Sequence, residues 1–182
     1  MALLARHGEV KWIEDDTVFA IVDTPAPDAK KCVRCFGVKR PGFSTQTTPW
    51  GVARIDAPSV WARATGKGVR IGVVDTGVNM SHPDLAVNVK AGFDAISETE
   101  GVEDDNGHGT HVAGIIAALD NGFGVVGVAP EAHIYAVKSF DSKGKGMASD
   151  IIQGIAWCID QGVSIINMSF GTVDSGKALE LA

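Results

Sequence analysis

The chain has 182 residues, 45% hydrophobic and 21% charged, with a formal net charge of −6. That balance excludes a disordered chain and supplies enough apolar material for one core. No apolar run approaches the roughly 20 residues needed to cross a bilayer, since Val112–Leu119 is short and broken by Gly114, and the acidic balance argues against a nucleic-acid partner.

The N-terminus turns polar at Arg6, so it lacks the apolar core of about 7–15 residues that a secretory signal needs. Residues 9–21 hold β-branched and aromatic residues with partial alternation and read as one or two strands, too few for a domain. From Asp23 to about Thr48, Pro25, Pro27, Pro41 and Gly42 interrupt any period and mark a linker or processing segment. Its basic cluster, Lys30, Lys31, Arg34, Lys39 and Arg40, reads as a solvated stretch. Cys32 and Cys35 form a C-x-x-C pair, while Cys158 falls in an apolar helix. The pair has no strand-to-helix context for a redox motif and no further ligands for zinc, which leaves an incidental disulfide or free thiols.

The body opens with a short helix, Asp56 serving as N-cap, Pro58 in the first turn and Gly66 as stop. Val69–Asp75 is a nearly continuous apolar run, as expected of a parallel strand buried on both faces. After Asp105-Asn106-Gly107, the residues Val112, Ile115, Ile116 and Leu119 give a helical stripe, with small residues opposite. Ile134–Phe140 is a further strand, Ile151, Ile152, Ile155 and Ile159 mark a helix stopped by Gly162, and Val163–Met168 is a buried strand. The alternation predicts an α/β fold, a three-layer αβα arrangement around a parallel sheet. Chemistry in such sheets gathers beyond the carboxyl ends of the strands.

Asp75 stands where a buried strand opens into a turn. Alone, that acid could orient a catalytic base, bind a ribose or cap the turn. A dinucleotide site is disfavoured, because Gly66-Lys67-Gly68 precedes the strand instead of opening the following helix. His108 is more specific, since it begins a helix with a glycine on either side. The positive helix end disfavours imidazolium, keeping the ring able to accept a proton, and a carboxylate on its other nitrogen would fix the tautomer. His111 invites a metal reading, but the zinc-protease helix spaces its histidines by four residues with a Glu between, and here the spacing is three. A packed helix histidine is the plainer reading.

The segments Val73–Gly77 (Val-Val-Asp-Thr-Gly) and His108–Gly114 (His-Gly-Thr-His-Val-Ala-Gly), in that order, resemble the subtilisin family of serine peptidases. The likeness continues through Thr48–Val52, Ser81–Leu85, Gly127–Pro130, Tyr135–Lys138 and Ile166–Gly171, covering residues 46–182 almost without a gap. Glu9–Ala20 resembles the last strand of that family's inhibitory pro-domain. The resemblance thus implies a remnant of the pro-domain over residues 1–22, a linker over 23–45 and the N-terminal part of a catalytic domain over 46–182.

By that resemblance Asp75 orients His108, and His108 deprotonates a serine that attacks a peptide carbonyl. The family's nucleophile lies in a Gly-Thr-Ser-Met-Ala motif and its side-chain oxyanion donor in an Ala-Gly-Asn motif, and this sequence contains neither. Ser169, Phe170 and Gly171 match a substrate-binding strand whose backbone pairs with an extended polypeptide, and Lys143, Gly144, Lys145 and Gly146 match the opposite wall. The resemblance also implies a structural Ca2+ site formed by Gln46, Asp84, Leu119, Asn121, Phe123 and Val125, a set of hard oxygen donors.

The expectation is a serine endopeptidase by family, catalytically incomplete as this chain, from an exported parent whose signal lies outside this sequence. The competing class is a non-catalytic module that binds extended peptides with the same strands, and metal-dependent hydrolysis is third. With Val163–Met168 apolar and its covering elements missing, the chain is further expected to be incomplete at its C-terminus, its missing half a partner, and to self-associate or be partly molten. Ser175–Ala182 reads as the first turns of a helix.

Overall fold

The computed structural model describes residues 17–21 and 45–172. The linker with Cys32 and Cys35, and the helix expected over Ser175–Ala182, lie outside them.

Five strands form the main sheet. Among the described residues the strands in chain order are β1 (Val18–Ile21), β2 (Arg70–Asp75), β3 (Val89–Asp94), β4 (Thr99–Glu100), β5 (His133–Lys138), β6 (Lys145–Met147), β7 (Ile165–Met168) and β8 (Phe170–Gly171). The helices are α1 (Trp50–Arg54), α2 (His108–Ala117) and α3 (Ala148–Asp160). The main sheet has the order β4-β3-β5-β2-β7. Strands β3, β5, β2 and β7 run parallel, and β4 adds an antiparallel edge to β3. The sheet is therefore mixed, where the sequence predicts a parallel one.

Side chains alternating along β2 and β5 divide the core into two layers. Ile71, Val73, Ile134 and Ala136 face one side, where Ala113 and Ala117 of α2 pack. Val74 and Val137 face the other, against Ile151, Ile155 and Cys158 of α3. Helices on both faces complete three layers, as expected from strands apolar on both sides.

The helix expected from Asp56 divides in two. Helix α1 lies earlier, and a 3-10 turn follows over Ala57–Val60. Asp56 itself is left-handed, with φ 58°, and its side chain makes no cap hydrogen bond. Its carbonyl instead accepts the amide and hydroxyl of Ser59, at 3.2 and 2.8 Å. Strand β3 escapes sequence reading because Lys90, Gly92 and Asp94 break any apolar run.

Strand β7 stands at an edge of the described sheet, with Ile165 54% and Met168 50% exposed. A second, smaller sheet places β1 between β6 and β8, antiparallel to both.

Cys158 is fully buried on the inner side of α3, and burial pushes its thiol up to about 11. Thiolate is the reactive form. In a Cys32→Ser, Cys35→Ser double variant, a disulfide reagent at neutral pH should leave the folded chain unmodified and titrate one thiol after urea is added. Prompt reaction without denaturant would show that the α3 layer is not packed as described.

Candidate active site

Strand β2 is interior, between β5 and β7, and its carboxyl end delivers Asp75 into a turn that meets the start of helix α2. Asp75 is completely buried, and His108 begins α2. The imidazole Nδ1 lies 2.7 Å from Asp75 Oδ1 and 2.9 Å from Oδ2, so one ring nitrogen faces both carboxylate oxygens. Such an arrangement places the proton on Nδ1 and leaves Nε2 as the basic nitrogen. Asp75 Oδ1 also accepts the Thr76 amide at 2.7 Å.

This approach needs Gly109. A Cβ there would collide with the carbonyl oxygen of Gly77 and lie about 3.1 Å from Asp75 Cβ, so no side chain fits between the helix start and the turn. The first turn of α2 also has orphan amides to satisfy: the His108 amide donates to Asn106 Oδ1 at 3.1 Å, and Asp104 takes Thr110 together with the two amides that lead into the helix. Asp104 Oδ1 accepts the amides of Asn106 (3.1 Å) and Gly107 (2.7 Å), and its Oδ2 accepts the amide (2.9 Å) and hydroxyl (2.5 Å) of Thr110. The hydroxyl of Thr76 donates to Asp104 Oδ1 at 2.8 Å and accepts the Gly109 amide at 3.0 Å. Asp104 therefore ties the residue after Asp75 to the helix that begins with His108. Sequence reading passes over it, although an acid preceding a helix start is the available signal.

His111 lies one turn along the same helix. Burial, and then the neighbouring His108, hold its imidazole below the ordinary histidine range. Among the described residues no group of three or more His, Cys, Asp or Glu is placed to hold a metal.

The two predicted peptide-binding segments come together on either side of β1. Phe19 pairs with Gly146 and Ala20 with Lys145 on one side, and Ala20 with Gly171 and Ile21 with Phe170 on the other. The Ile21 amide donates to the Gly144 carbonyl at 3.0 Å. Lys143 and Ser169 lie just outside this pairing. The Lys143 amide donates to Asp141 Oδ1 at 2.8 Å within a turn, and Ser169 Oγ accepts Asn167 Nδ2 at 2.8 Å. The Lys145 amide also donates to Asp141 Oδ1, at 3.0 Å, and it leads the causes that hold the Asp141 carboxyl below its usual range. Phe19 is 4% exposed, edge-on to Phe170 at 6.0 Å, and Phe170 in turn contacts Phe140 at 4.9 Å between ring centres.

The six oxygen donors predicted for calcium fall around one loop. Gln46 Nε2 donates to the carbonyls of Leu119 (2.5 Å) and Val125 (3.1 Å), and Gln46 Oε1 accepts the Gly122 amide at 3.3 Å. Asp84, 2% exposed, accepts Asn121 Nδ2 at 3.1 Å and the Val125 amide at 3.0 Å. Phe123 enters through its amide, which donates to Asn121 Oδ1 at 2.9 Å. Gly124, with φ 60°, has no room for a Cβ beside the Asp84 carboxylate.

The chain belongs to the subtilase family, whose family model matches residues 66–180. It is 45% identical over 138 residues to subtilisin BL of Lederbergia lenta, 75% of this chain and 50% of that protein. It is 48% identical over 139 residues to a thermostable alkaline protease of Halalkalibacterium halodurans, 76% of this chain and 38% of that protein. Subtilisin E of Bacillus subtilis is 48% identical over 136 residues, 74% of this chain and 35% of that protein. The chain thus spans half the length of these curated relatives, or less.

Gly109→Ala should lower the unfolding free energy by about 1–3 kcal/mol, the usual cost of inserting a methyl where there is no room. Ile115→Ala, on the exposed side of the same helix, should stay within about 0.5 kcal/mol of the parent. Urea midpoints compare the two, and equal midpoints would contradict the tight seat of α2 against the Asp75 turn.

Proposed function

We propose that this chain supplies the base, its orienting carboxylate and both walls of the peptide cleft of a subtilisin-like serine endopeptidase. The observation that carries the reading is the buried Asp75 facing His108 Nδ1 through both oxygens, at 2.7 and 2.9 Å, beside a cleft that already pairs with an extended strand.

In acyl transfer, the attacking serine hydroxyl loses its proton to His108 Nε2 as the oxygen bonds to the peptide carbonyl carbon. His108 then delivers that proton to the leaving amine. Asp75 holds the Nδ1 proton and stabilises the imidazolium between the two transfers. The polypeptide substrate adds as an antiparallel strand between Gly144–Met147 and Phe170–Gly171, where backbone pairing is indifferent to sequence and the Phe170 ring, itself against Phe140, would meet an apolar side chain as it now meets Phe19. Thr17–Ile21 occupies that cleft as an intramolecular substrate mimic, consistent with residues 1–22 being the end of an inhibitory pro-segment.

No Gly-Thr-Ser-Met-Ala motif is present among the 182 residues, so the nucleophile has to come from residues outside this sequence. The pairing of β1 on both sides favours, as a second reading, a module that binds peptides without cleaving them. With a serine-directed fluorophosphonate, the chain alone should remain unlabelled and should not hydrolyse casein. After refolding with the C-terminal half of subtilisin E, labelling should appear on the added half and disappear with His108→Ala. Labelling of a serine within this chain that depends on His108 would overturn the assignment. Native complexes that never label would favour the binding module.

Gln46, Asp84, Asn121 and the carbonyls of Leu119, Phe123 and Val125 fit a calcium ion as a donor set, being one carboxylate with amide and carbonyl oxygens. Binding would require the Gln46 and Asn121 amides to turn their oxygens inward, replacing the hydrogen bonds that now hold the loop. The ion would cross-link the segment before α1 to the loop after α2, a structural and not a chemical contribution. A ligand bound only by the folded state stabilises by about 2.7 kcal/mol at a hundredfold excess over Kd. Calcium should therefore raise Tm, and Asp84→Ala should erase most of the rise. Identical melting of the parent chain in calcium and in chelator would remove the site.

A further inference from the structure

Lys138 is a buried cation that neither the acid-base pair nor the cleft accounts for. It ends β5 directly beside Asp75, with which it pairs in the parallel register, and is 8% exposed. Burying an ammonium is costly unless its hydrogens are all satisfied. Here three acceptors surround Nζ: the carbonyl of Thr76 at 3.0 Å, the carbonyl of Phe140 at 3.2 Å and Asp105 Oδ1 at 2.6 Å.

Those acceptors belong to three different pieces of the site. Thr76 follows Asp75 in the turn that fixes the carboxylate. Asp105 stands three residues before His108, in the loop leading into α2. Phe140 begins the segment that runs through the Asp141 turn to the β6 wall. An ammonium has three donors and no preferred plane, so it can join three acceptors that a single side-chain carboxylate or amide could not.

We propose that Lys138 is a positioning residue for the Asp75–His108 pair, its link to Asp105 setting how the helix start is held against the Asp75 turn. The proposal rests on the reading of that pair as the base and its orienter. Asp105 is the informative place to cut, because its side chain is 51% exposed and its loss leaves Lys138 bonded to two carbonyls. The backbone core should survive, while the loop before His108, still held through Asp104, loses its link to the end of β5.

The test reads the His108 ring itself, which mere stability does not report. In chain labelled with 15N-histidine, the parent should carry its His108 proton on Nδ1 at neutral pH, and Asp75→Asn should abolish that signature. Asp105→Ala should melt near the parent temperature yet lose the dominance of the Nδ1–H tautomer. Asp105→Asn, which keeps an oxygen for Lys138, should restore it, and Lys138→Met should show the same loss as Asp105→Ala if it folds. An unchanged tautomer in folded Asp105→Ala overturns the proposal while leaving the Asp75–His108 pair intact. A parent spectrum without the Nδ1–H form, by contrast, overturns the reading of the pair and the proposal with it.

Discussion

The structure depends on how closely the start of α2 approaches the turn after β2. A buried carboxylate is expensive, and Asp75 is sustained by the Thr76 amide and the His108 ring at hydrogen-bond distance. That distance is available only because Gly109 presents no side chain to the Gly77 carbonyl. Backbone geometry thus comes first and the chemistry of the pair follows from it. The small residues Ala113 and Ala117 extend the same close packing along the α2 face of the sheet.

The small β6-β1-β8 sheet inherits its position from the same strand ends. Asp75 accepts the amides of Ser139 and Phe140 through its backbone carbonyl, at 2.9 and 3.2 Å, so the chain leaving β5 is held against the Asp75 turn before it reaches Asp141. The Asp141 turn then reverses it into β6. On the other side β7 pairs with β2 and leads within two residues to β8. Both β6 and β8 therefore follow neighbours of β2 in the chain, and β1 pairs between them.

Much of this was legible in the sequence, for identifiable reasons. Val69–Asp75 and Ile134–Phe140 were readable because strands buried on both faces must be apolar without interruption, and α2 and α3 because their stripes repeat at helical spacing. Strand β3 was not, since Ala91, Gly92 and Phe93 are only half buried and no pattern is imposed on them. The Asp56 helix failed because local capping signals compete with the chain's need to turn, and Asp56 takes a left-handed conformation that the cap rule does not foresee. The pairing of β1 with two distant segments left no local signature either, being decided by backbone hydrogen bonds that any residue types can make.

The carboxylates show where sequence reasoning stops more sharply. Asp75, Asp84, Asp104 and Asp141 each accept backbone amides, and by residue type they are indistinguishable. Their roles diverge with what else they face: an imidazole for Asp75, an asparagine amide for Asp84, two threonine hydroxyls for Asp104, and for Asp141 the turn it closes. Asp104 and Asp105 are adjacent, yet one gathers the Asn106, Gly107 and Thr110 amides around the helix start and the other reaches the ammonium of Lys138. Motifs can single out Asp75 and Asp84, because whole segments around them resemble the family. Separating Asp104 from Asp105 requires knowing which side of the chain faces the helix, and that is fixed only when the loop before α2 docks on the end of the sheet.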